Sequence, residues 1–158
     1  MKTITSSIEA VLDAVPLILE AASGVKYTGR WEEDDDFNPV HSDFTLDQMS
    51  DGCIAEDNCH YTTDFLFSSS LLDLIEAPHI QSKAFVQCEY GQNHIAVLLQ
   101  FPETGENIVL DFTARQYSQE ADFPMVAKQS EWFEFVKQHI DGTNAIMETL
   151  SHEPTVRW

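Results

Sequence analysis

The sequence has little positive charge. Lys and Arg together number 8 against 27 Asp and Glu residues, which gives a formal net charge of −19 at pH 7. At long range this charge repels nucleic-acid backbones and anionic membrane surfaces, so neither is expected as a partner. The acidity either keeps the protein soluble or steers it toward a protein with a basic surface.

Cysteine is scarce too, and no apolar run approaches the ~18 residues of a bilayer-spanning helix. Cys53, Cys59 and Cys88 are odd in number and irregularly spaced, which argues against a disulfide framework and a thiolate zinc site. Glu9 and Asp13 fall where a signal peptide needs a bare apolar stretch. We therefore expect no metal, no export signal, and reduced thiols in the cytoplasm.

A chain of 158 residues with 43% apolar residues suits one folded domain spanning 1–158. Ser6 and Glu9 have the spacing of a capping box, and apolar residues recur at helical intervals after them. This pattern predicts a helix that begins near Ser7 and is interrupted by Pro16. Gly24 suits the left-handed residue that closes a helix.

Residues 25–58 show no regular periodicity and contain ten acidic residues. We expect a long acidic surface loop, which either faces a substrate or is simply a solvated connection. A calcium loop is a third interpretation, but the segment lacks the spaced oxygen ligands and the central glycine of an EF-hand.

Residues 59–117 have the most regular pattern, and we expect them to form the catalytic core. A helix is predicted from Cys59 to Pro78, followed by strands over 84–90, 94–99 and 107–112. Turn residues at 102–105 predict that the last two strands pair antiparallel. Later patterns predict one helix from Trp132 to Gly142 and a short helix over 145–150. The order predicts an α+β domain with N-terminal helices, a central helix, an antiparallel sheet of at least three strands, and C-terminal helices.

Three residues in this core have the chemistry of a cysteine-nucleophile triad. A thiol attacks a carbonyl as the thiolate, so it needs a neighbouring imidazole and gains from a helix N-terminus, where Cys59 is predicted to lie. His94 would take the thiol proton, and Asp111 would orient the imidazole. A hairpin centred near residue 103 places His94 opposite residues 111–113, so His94 and Asp111 should be neighbours.

Several assignments around this triad remain open. The Cys59 backbone N–H could donate to a substrate oxyanion, and either Asn58 or Gln92 could supply a second donor. Cys53 is an alternative nucleophile. Asp111 could instead end a strand, a position that Asp often fills.

The order Cys59, His94, Asp111, with separations of 35 (94 − 59) and 17 (111 − 94) residues, resembles the core of the papain-like and transglutaminase-like superfamily. Arylamine N-acetyltransferases share this order. The segments NHIAV at 93–97 and VLDFTARQY at 109–117 are similar to the papain-fold toxins and effectors of bacteria and phages. Cysteine proteases and protein-glutamine deamidases occur among those proteins. The resemblance covers about residues 58–117.

The resemblance implies a papain-like fold with Cys59 as nucleophile, His94 as base and Asp111 as orienting carboxylate. Its second segment also contains three polar residues that would either stabilise the turn after the strand or line the pocket: Thr113, Arg115 and Gln116. The implied function is acyl transfer from a protein or peptide amide to water, by glutamine deamidation or proteolysis, without a cofactor. The alternatives are transfer to an amine, as in transglutaminases or N-acetyltransferases, and a non-enzymatic acidic interaction or inhibitor protein on a degenerate papain-like fold.

Overall fold

The computed structural model describes residues 6–33, 35–87, 93–140 and 146–151. It is a mixed α+β fold with antiparallel sheets, which confirms the predicted class. The helices are α1 (Ser7–Ala21), α2 (Gly52–Ala55), α3 (Cys59–Ser68) and α4 (Gln129–His139). The strands are β1 (Tyr27–Glu33), β2 (Pro39–Phe44), β3 (Ile80–Gln87), β4 (Asn93–Phe101), β5 (Glu106–Asp111), β6 (Met125–Lys128) and β7 (Ile146–Ser151). Within these ranges no helix is long and apolar enough to cross a membrane.

Helix α1 begins as predicted but is not interrupted by Pro16. The Ser6 hydroxyl caps it by accepting the Glu9 backbone N–H at 3.1 Å. Pro16 lies inside the continuous helix, where it removes one backbone donor. Buried Val11 and Ile18 on either side of it pack into the core, so packing holds the helix together across the proline. A single N-terminal helix therefore replaces the helices that were predicted.

The prediction of a long acidic loop over residues 25–58 is wrong. Strands β1 and β2 form an antiparallel hairpin there, with Tyr27 paired to Phe44 and a register shift between Arg30 and Glu32. A 3₁₀ segment over Leu46–Ser50 and helix α2 follow the hairpin. These strands mix charged, polar and aromatic residues with a glycine and a proline, which hides the alternation of apolar residues on which strand prediction depends.

Helix α3 begins at Cys59 as predicted but ends at Ser68. Ser70 adopts a left-handed backbone with φ of 60°, which stops the helix before a 3₁₀ segment over Leu71–Leu74. The prediction of one helix reaching Pro78 was wrong because apolar residues beyond Ser70, such as Leu72 and Ile75, continue the helical spacing from a separate segment that packs in the same core.

The larger sheet has the strand order β6-β5-β4-β3-β7, and all its neighbours are antiparallel. The predicted hairpin between β4 and β5 is confirmed. The short helix predicted over 145–150 is instead strand β7, which pairs with β3. Strand β6 was not predicted. Both β6 and β7 are edge strands, β6 has only 4 residues, and β7 pairs with a strand distant in sequence, so their local patterns carry little signal.

The two faces of this sheet pack against different helices. One face, which includes Val97 and Leu99, joins the core formed with α1 and α3. The opposite face, which includes Ala96 and Leu98, packs against Trp132 of α4. The sheet is thus the middle layer of the domain, and successive residues of β4 serve two different cores.

Leu99→Ala should reveal how much the sheet depends on the first of these cores. Leu99 is completely buried, so the substitution should lower the free energy of unfolding by about 2–5 kcal/mol through lost burial and a new cavity. Leu12→Ala on α1 is the matched control, because Leu12 is 49% exposed and its loss should cost about 0.5 kcal/mol or less. Urea denaturation measures both, and equal losses would contradict this description of the core.

Candidate active site

Cys59 is the first residue of α3 and is only 6% exposed. It is a free thiol that lines a cleft of about 740 Å³. The start of a helix leaves N–H groups without intrahelical partners and has a partial positive charge, so it stabilises an anion. The predicted position of Cys59 at a helix N-terminus is therefore confirmed, and the thiol borders a space that a substrate can enter.

His94 and Asp111 meet across the β4–β5 hairpin. Val97 pairs with Leu110, and continuing this register sets Ala96 opposite Asp111. His94 is then a diagonal neighbour of Asp111 on the same face of the sheet. The predicted proximity is confirmed, since His94 Nε2 lies 2.6 Å from Asp111 Oδ2.

Four hydrogen bonds surround the buried carboxylate of Asp111. Oδ2 accepts the His94 Nε2–H at 2.6 Å and the Trp132 Nε1–H at 2.9 Å. Oδ1 accepts the Thr113 backbone N–H at 2.9 Å and the Thr113 hydroxyl at 3.2 Å. Burial alone would raise the pKa of Asp111, but the charge of His94 and these hydrogen bonds lower it below its usual value. Asp111 is therefore ionised and can only accept hydrogen bonds, so Nε2 of His94 carries a proton.

The His94 ring is completely buried. Burial by itself would lower the pKa of His94, but the charge and hydrogen bond of Asp111, then the hydrogen bond and charge of Cys59, outweigh it and raise the pKa to about 10. Because Asp111 occupies Nε2, Nδ1 is the ring nitrogen left for proton exchange with a thiol. The ring is thus a strong base for the proton that the thiol must lose. The rings of Tyr117 and Trp132 hold it in place at centroid distances of 5.0 and 5.7 Å.

Two of the polar residues after β5 have structural roles. Thr113 binds Asp111 through both its backbone and its hydroxyl, so it helps to keep the carboxylate ionised. Arg115 donates from Nε to the Ala121 carbonyl at 2.8 Å and from Nη1 to the Ser50 carbonyl at 3.0 Å. Arg115 therefore joins the turn after β5 to the segment before α2 and supports the site from outside.

Gln116 has a different position, because its side chain lines the cleft together with Cys59. Its Nε2 lies 3.3 Å from His94 Nδ1, the ring nitrogen that Asp111 does not bind. The Gln116 amide therefore lies beside the ring nitrogen that is left for proton exchange with a thiol. Of the two roles expected for Gln116, the structure places it in the pocket.

The expectation that Asn58 donates to an oxyanion is corrected by the hydrogen bonds of its side chain. Its Nδ2 donates to the Arg30 carbonyl at 2.7 Å and to the Ile54 carbonyl at 2.6 Å, and its Oδ1 accepts the Arg30 backbone N–H at 2.7 Å. Asn58 is completely buried. Both amide hydrogens are used by the backbone, so neither can reach a substrate. The other candidate donor, Gln92, lies outside the described residues.

Two further residues line the cleft. His60 lines it beside the nucleophile, and burial is the main cause that lowers the pKa of His60, with Lys83 and His94 adding to the effect and Asp64 opposing it. His60 directly follows Cys59 in the first turn of α3, and that adjacency was the available signal.

A second neighbour connects the cleft to the hairpin. Tyr61 lines the cleft, and its hydroxyl lies 3.1 Å from Nε2 of His41 on β2. No sequence pattern could link these residues, because the hairpin itself was not predicted.

The alternative nucleophile is less well placed. Cys53 is exposed on α2 and does not border the cleft that Cys59 lines. Cys88 lies outside the described residues. The geometry thus favours Cys59 among the cysteines that the structure describes.

Comparison with protein families, characterised proteins and solved structures finds no significant match to this chain. In the described part of the chain, no group of three or more His, Cys, Asp or Glu side chains could hold a metal ion.

Asp111→Asn should change the pKa of His94, because it keeps the shape of the side chain and removes its charge. Burial then dominates, so the pKa of His94 should fall from about 10 to below the ordinary value of 6.5. An NMR titration of the imidazole measures the change. Trp132→Phe is the matched control, since it removes one donor and leaves the carboxylate, and the pKa of His94 should stay raised. An unchanged pKa in Asp111→Asn would contradict the pairing.

The stability of the protein should depend on pH through the same pair. The raised pKa of His94 contributes stability that is complete below pH 6.5 and is lost as pH rises through about 10. The lowered pKa of Asp111 contributes stability above pH 3.8 that is lost as pH falls further. Asp111→Asn should therefore lower the free energy of unfolding most, by about 3–5 kcal/mol, between pH 3.8 and pH 6.5, where both contributions are complete. Denaturation of both proteins at several pH values tests this, and a difference independent of pH would refute it.

Proposed function

We propose that the protein is a cysteine-dependent acyl-transfer hydrolase that acts on a protein or peptide amide. The observation that carries this proposal is the buried His94 ring, which is held by Asp111 at Nε2 and has the Gln116 amide 3.3 Å from its Nδ1, together with Cys59, a thiol at a helix N-terminus that lines the same cleft as Gln116. A nucleophile, a base and an orienting carboxylate are the three parts that thiol acyl transfer requires.

Acylation begins with the thiol proton already on His94 Nδ1, as the raised pKa of His94 favours, and the Cys59 sulfur attacks the amide carbonyl carbon. The new C–S bond creates a tetrahedral oxyanion, which the Cys59 backbone N–H at the start of α3 is suited to bind. Gln116 replaces Asn58 as the proposed side-chain donor, since its amide lies in the cleft beside the base. The oxyanion collapses, the C–N bond breaks, and His94 gives its proton to the leaving amine or ammonia.

Deacylation reverses these roles with water. His94 takes a proton from a water molecule, and the oxygen attacks the thioester carbonyl. The C–S bond breaks, the carboxylic acid leaves, and the proton stays on His94 beside the released Cys59 sulfur, which restores the starting state. The net reaction is hydrolysis of the amide, without metal, redox change or organic cofactor. Asp111 keeps its charge throughout and stabilises the imidazolium in both steps.

The arrangement also supports the proposed papain-like or transglutaminase-like core. A nucleophile at the start of a helix and a His and an Asp on neighbouring antiparallel strands form the layout that the resemblance implies. Within that superfamily we propose a relationship to bacterial and phage effectors that deamidate glutamine or cleave proteins. Such an effector would work in the cytoplasm, where reducing conditions preserve the free thiol.

The substrate we propose is a protein with a basic surface, because the chain itself is strongly acidic. A cleft of about 740 Å³ has room for a side chain or a short peptide segment. The net charge of −19 would increase the rate of encounter with a basic protein surface.

Selective alkylation tests the nucleophile directly. Iodoacetamide at neutral pH should modify Cys59 in the cleft faster than exposed Cys53, because His94 accepts the Cys59 proton, and site-resolved mass spectrometry follows both residues. In Asp111→Asn, Cys59 should react at least about tenfold more slowly and Cys53 at an unchanged rate. Slower modification of Cys59 than of Cys53 in the unaltered protein would rule out an activated thiol.

Turnover tests the reaction. Incubation with a glutamine-rich basic protein should release ammonia or new amino termini, and Cys59→Ala should abolish this while leaving the circular dichroism spectrum unchanged. Incorporation of an added primary amine in place of ammonia release would instead indicate transglutamination. Equal biological activity of Cys59→Ala and the unaltered protein would favour the non-enzymatic interaction protein.

A further inference from the structure

Asn58, the residue before the nucleophile, joins helix α3 to the β1–β2 hairpin. Its side chain binds both backbone groups of Arg30 on β1, with the Arg30 N–H and the Arg30 carbonyl each at 2.7 Å. Its backbone carbonyl accepts the first hydrogen bond of α3, from the Thr62 N–H at 2.9 Å. The Asn58 amide also reaches the Ile54 carbonyl at 2.6 Å, so one buried side chain ties together three segments.

The hairpin is shaped to receive this side chain. A Cβ on Gly29 would lie 2.5 Å from Asn58 Oδ1 and 2.8 Å from the Phe44 ring, so only glycine permits such a close approach. Immediately after Arg30 the β1–β2 ladder shifts its register. Such irregularities redirect a strand locally, and here Arg30 is among the residues that line the cleft.

These contacts act on the nucleophile because Cys59 is the next residue in the chain. A displacement of Asn58 moves the Cys59 backbone N–H and sulfur, whereas His94 is fixed separately by Asp111 and the sheet. The distance between sulfur and base therefore depends on where the hairpin holds Asn58. The buried amide is satisfied by backbone groups alone, so its geometry is rigid.

We infer that Asn58 is a positioning residue, and that it sets the Cys59 sulfur against His94 by locking the start of α3 to the Arg30 backbone in the space that Gly29 provides. The inference rests on the proposed function and deepens it. The β1–β2 hairpin is then a wall of the active site whose position controls the reactivity of the thiol.

Asn58→Ala should lower the rate of Cys59 alkylation at neutral pH by about tenfold or more, because small misplacements of a reacting group have large kinetic effects. Exposed Cys53 in the same molecules is the internal reference. Tyr27→Phe is the matched control, since it removes a different hydrogen bond between the same hairpin and helix, from Tyr27 to Thr62 at 2.8 Å. Tyr27→Phe should leave the Cys59 rate within about twofold of the unaltered protein.

Gly29→Ala perturbs the same contact from the hairpin side. It tests the inference if Asn58→Ala does not fold. It should also slow Cys59, and in the double variant with Asn58→Ala it should add less than it does alone, because the Asn58 side chain has gone and only the clash with the Phe44 ring remains. The pH profile of alkylation should lose its His94-dependent component in both single variants. Additive effects of the two substitutions would overturn the inference.

The outcomes separate this inference from the proposed function. An unreactive Cys59 in the unaltered protein would refute the proposed function itself. A reactive Cys59 whose rate is equal in Asn58→Ala, or lowered equally by Tyr27→Phe, would refute the positioning role and leave the proposed triad standing.

Discussion

The ion pair between His94 and Asp111 is the interaction on which the site depends. Both groups are buried, so either charge alone would destabilise the fold. Each group stabilises the charged form of the other. Asp111 is additionally bound by Trp132 and by Thr113. Strand β5, helix α4 and the turn after β5 must therefore all be in place before the imidazole can serve as a base. The geometry of the His94–Asp111 pair therefore depends on the folded sheet and on helix α4.

The nucleophile is held by a different part of the molecule. Cys59 depends on the start of α3, which Asn58 joins to Arg30 of the hairpin, whereas His94 belongs to the central sheet. The proposed chemistry takes place where these two parts meet. A site assembled in this way combines a base that is fixed by the sheet with a nucleophile that, as we infer, is positioned by the hairpin.

Local patterns were sufficient for the parts of the fold that are close in sequence. The cap at Ser6, the start of α3 at Cys59 and the hairpin between β4 and β5 were all predicted correctly, because each depends on neighbouring residues. Prediction was wrong where pairing or packing reached further. Strand β7 pairs with β3 across more than fifty residues, and β1 and β2 combine strand pairing with a run of acidic residues. In such segments tertiary contacts override local propensity.

The sequence by itself determined the α+β class, the acidic character and the three candidate catalytic residues, because thiol chemistry requires particular side chains and the short hairpin limits where His94 and Asp111 can lie. The tertiary structure alone decided what surrounds them. It placed Trp132 on the carboxylate, brought Gln116 into the cleft, and turned Asn58 from an expected oxyanion donor into a contact with the hairpin. These roles depend on which backbone groups meet in space, and that follows from packing between segments distant in the chain.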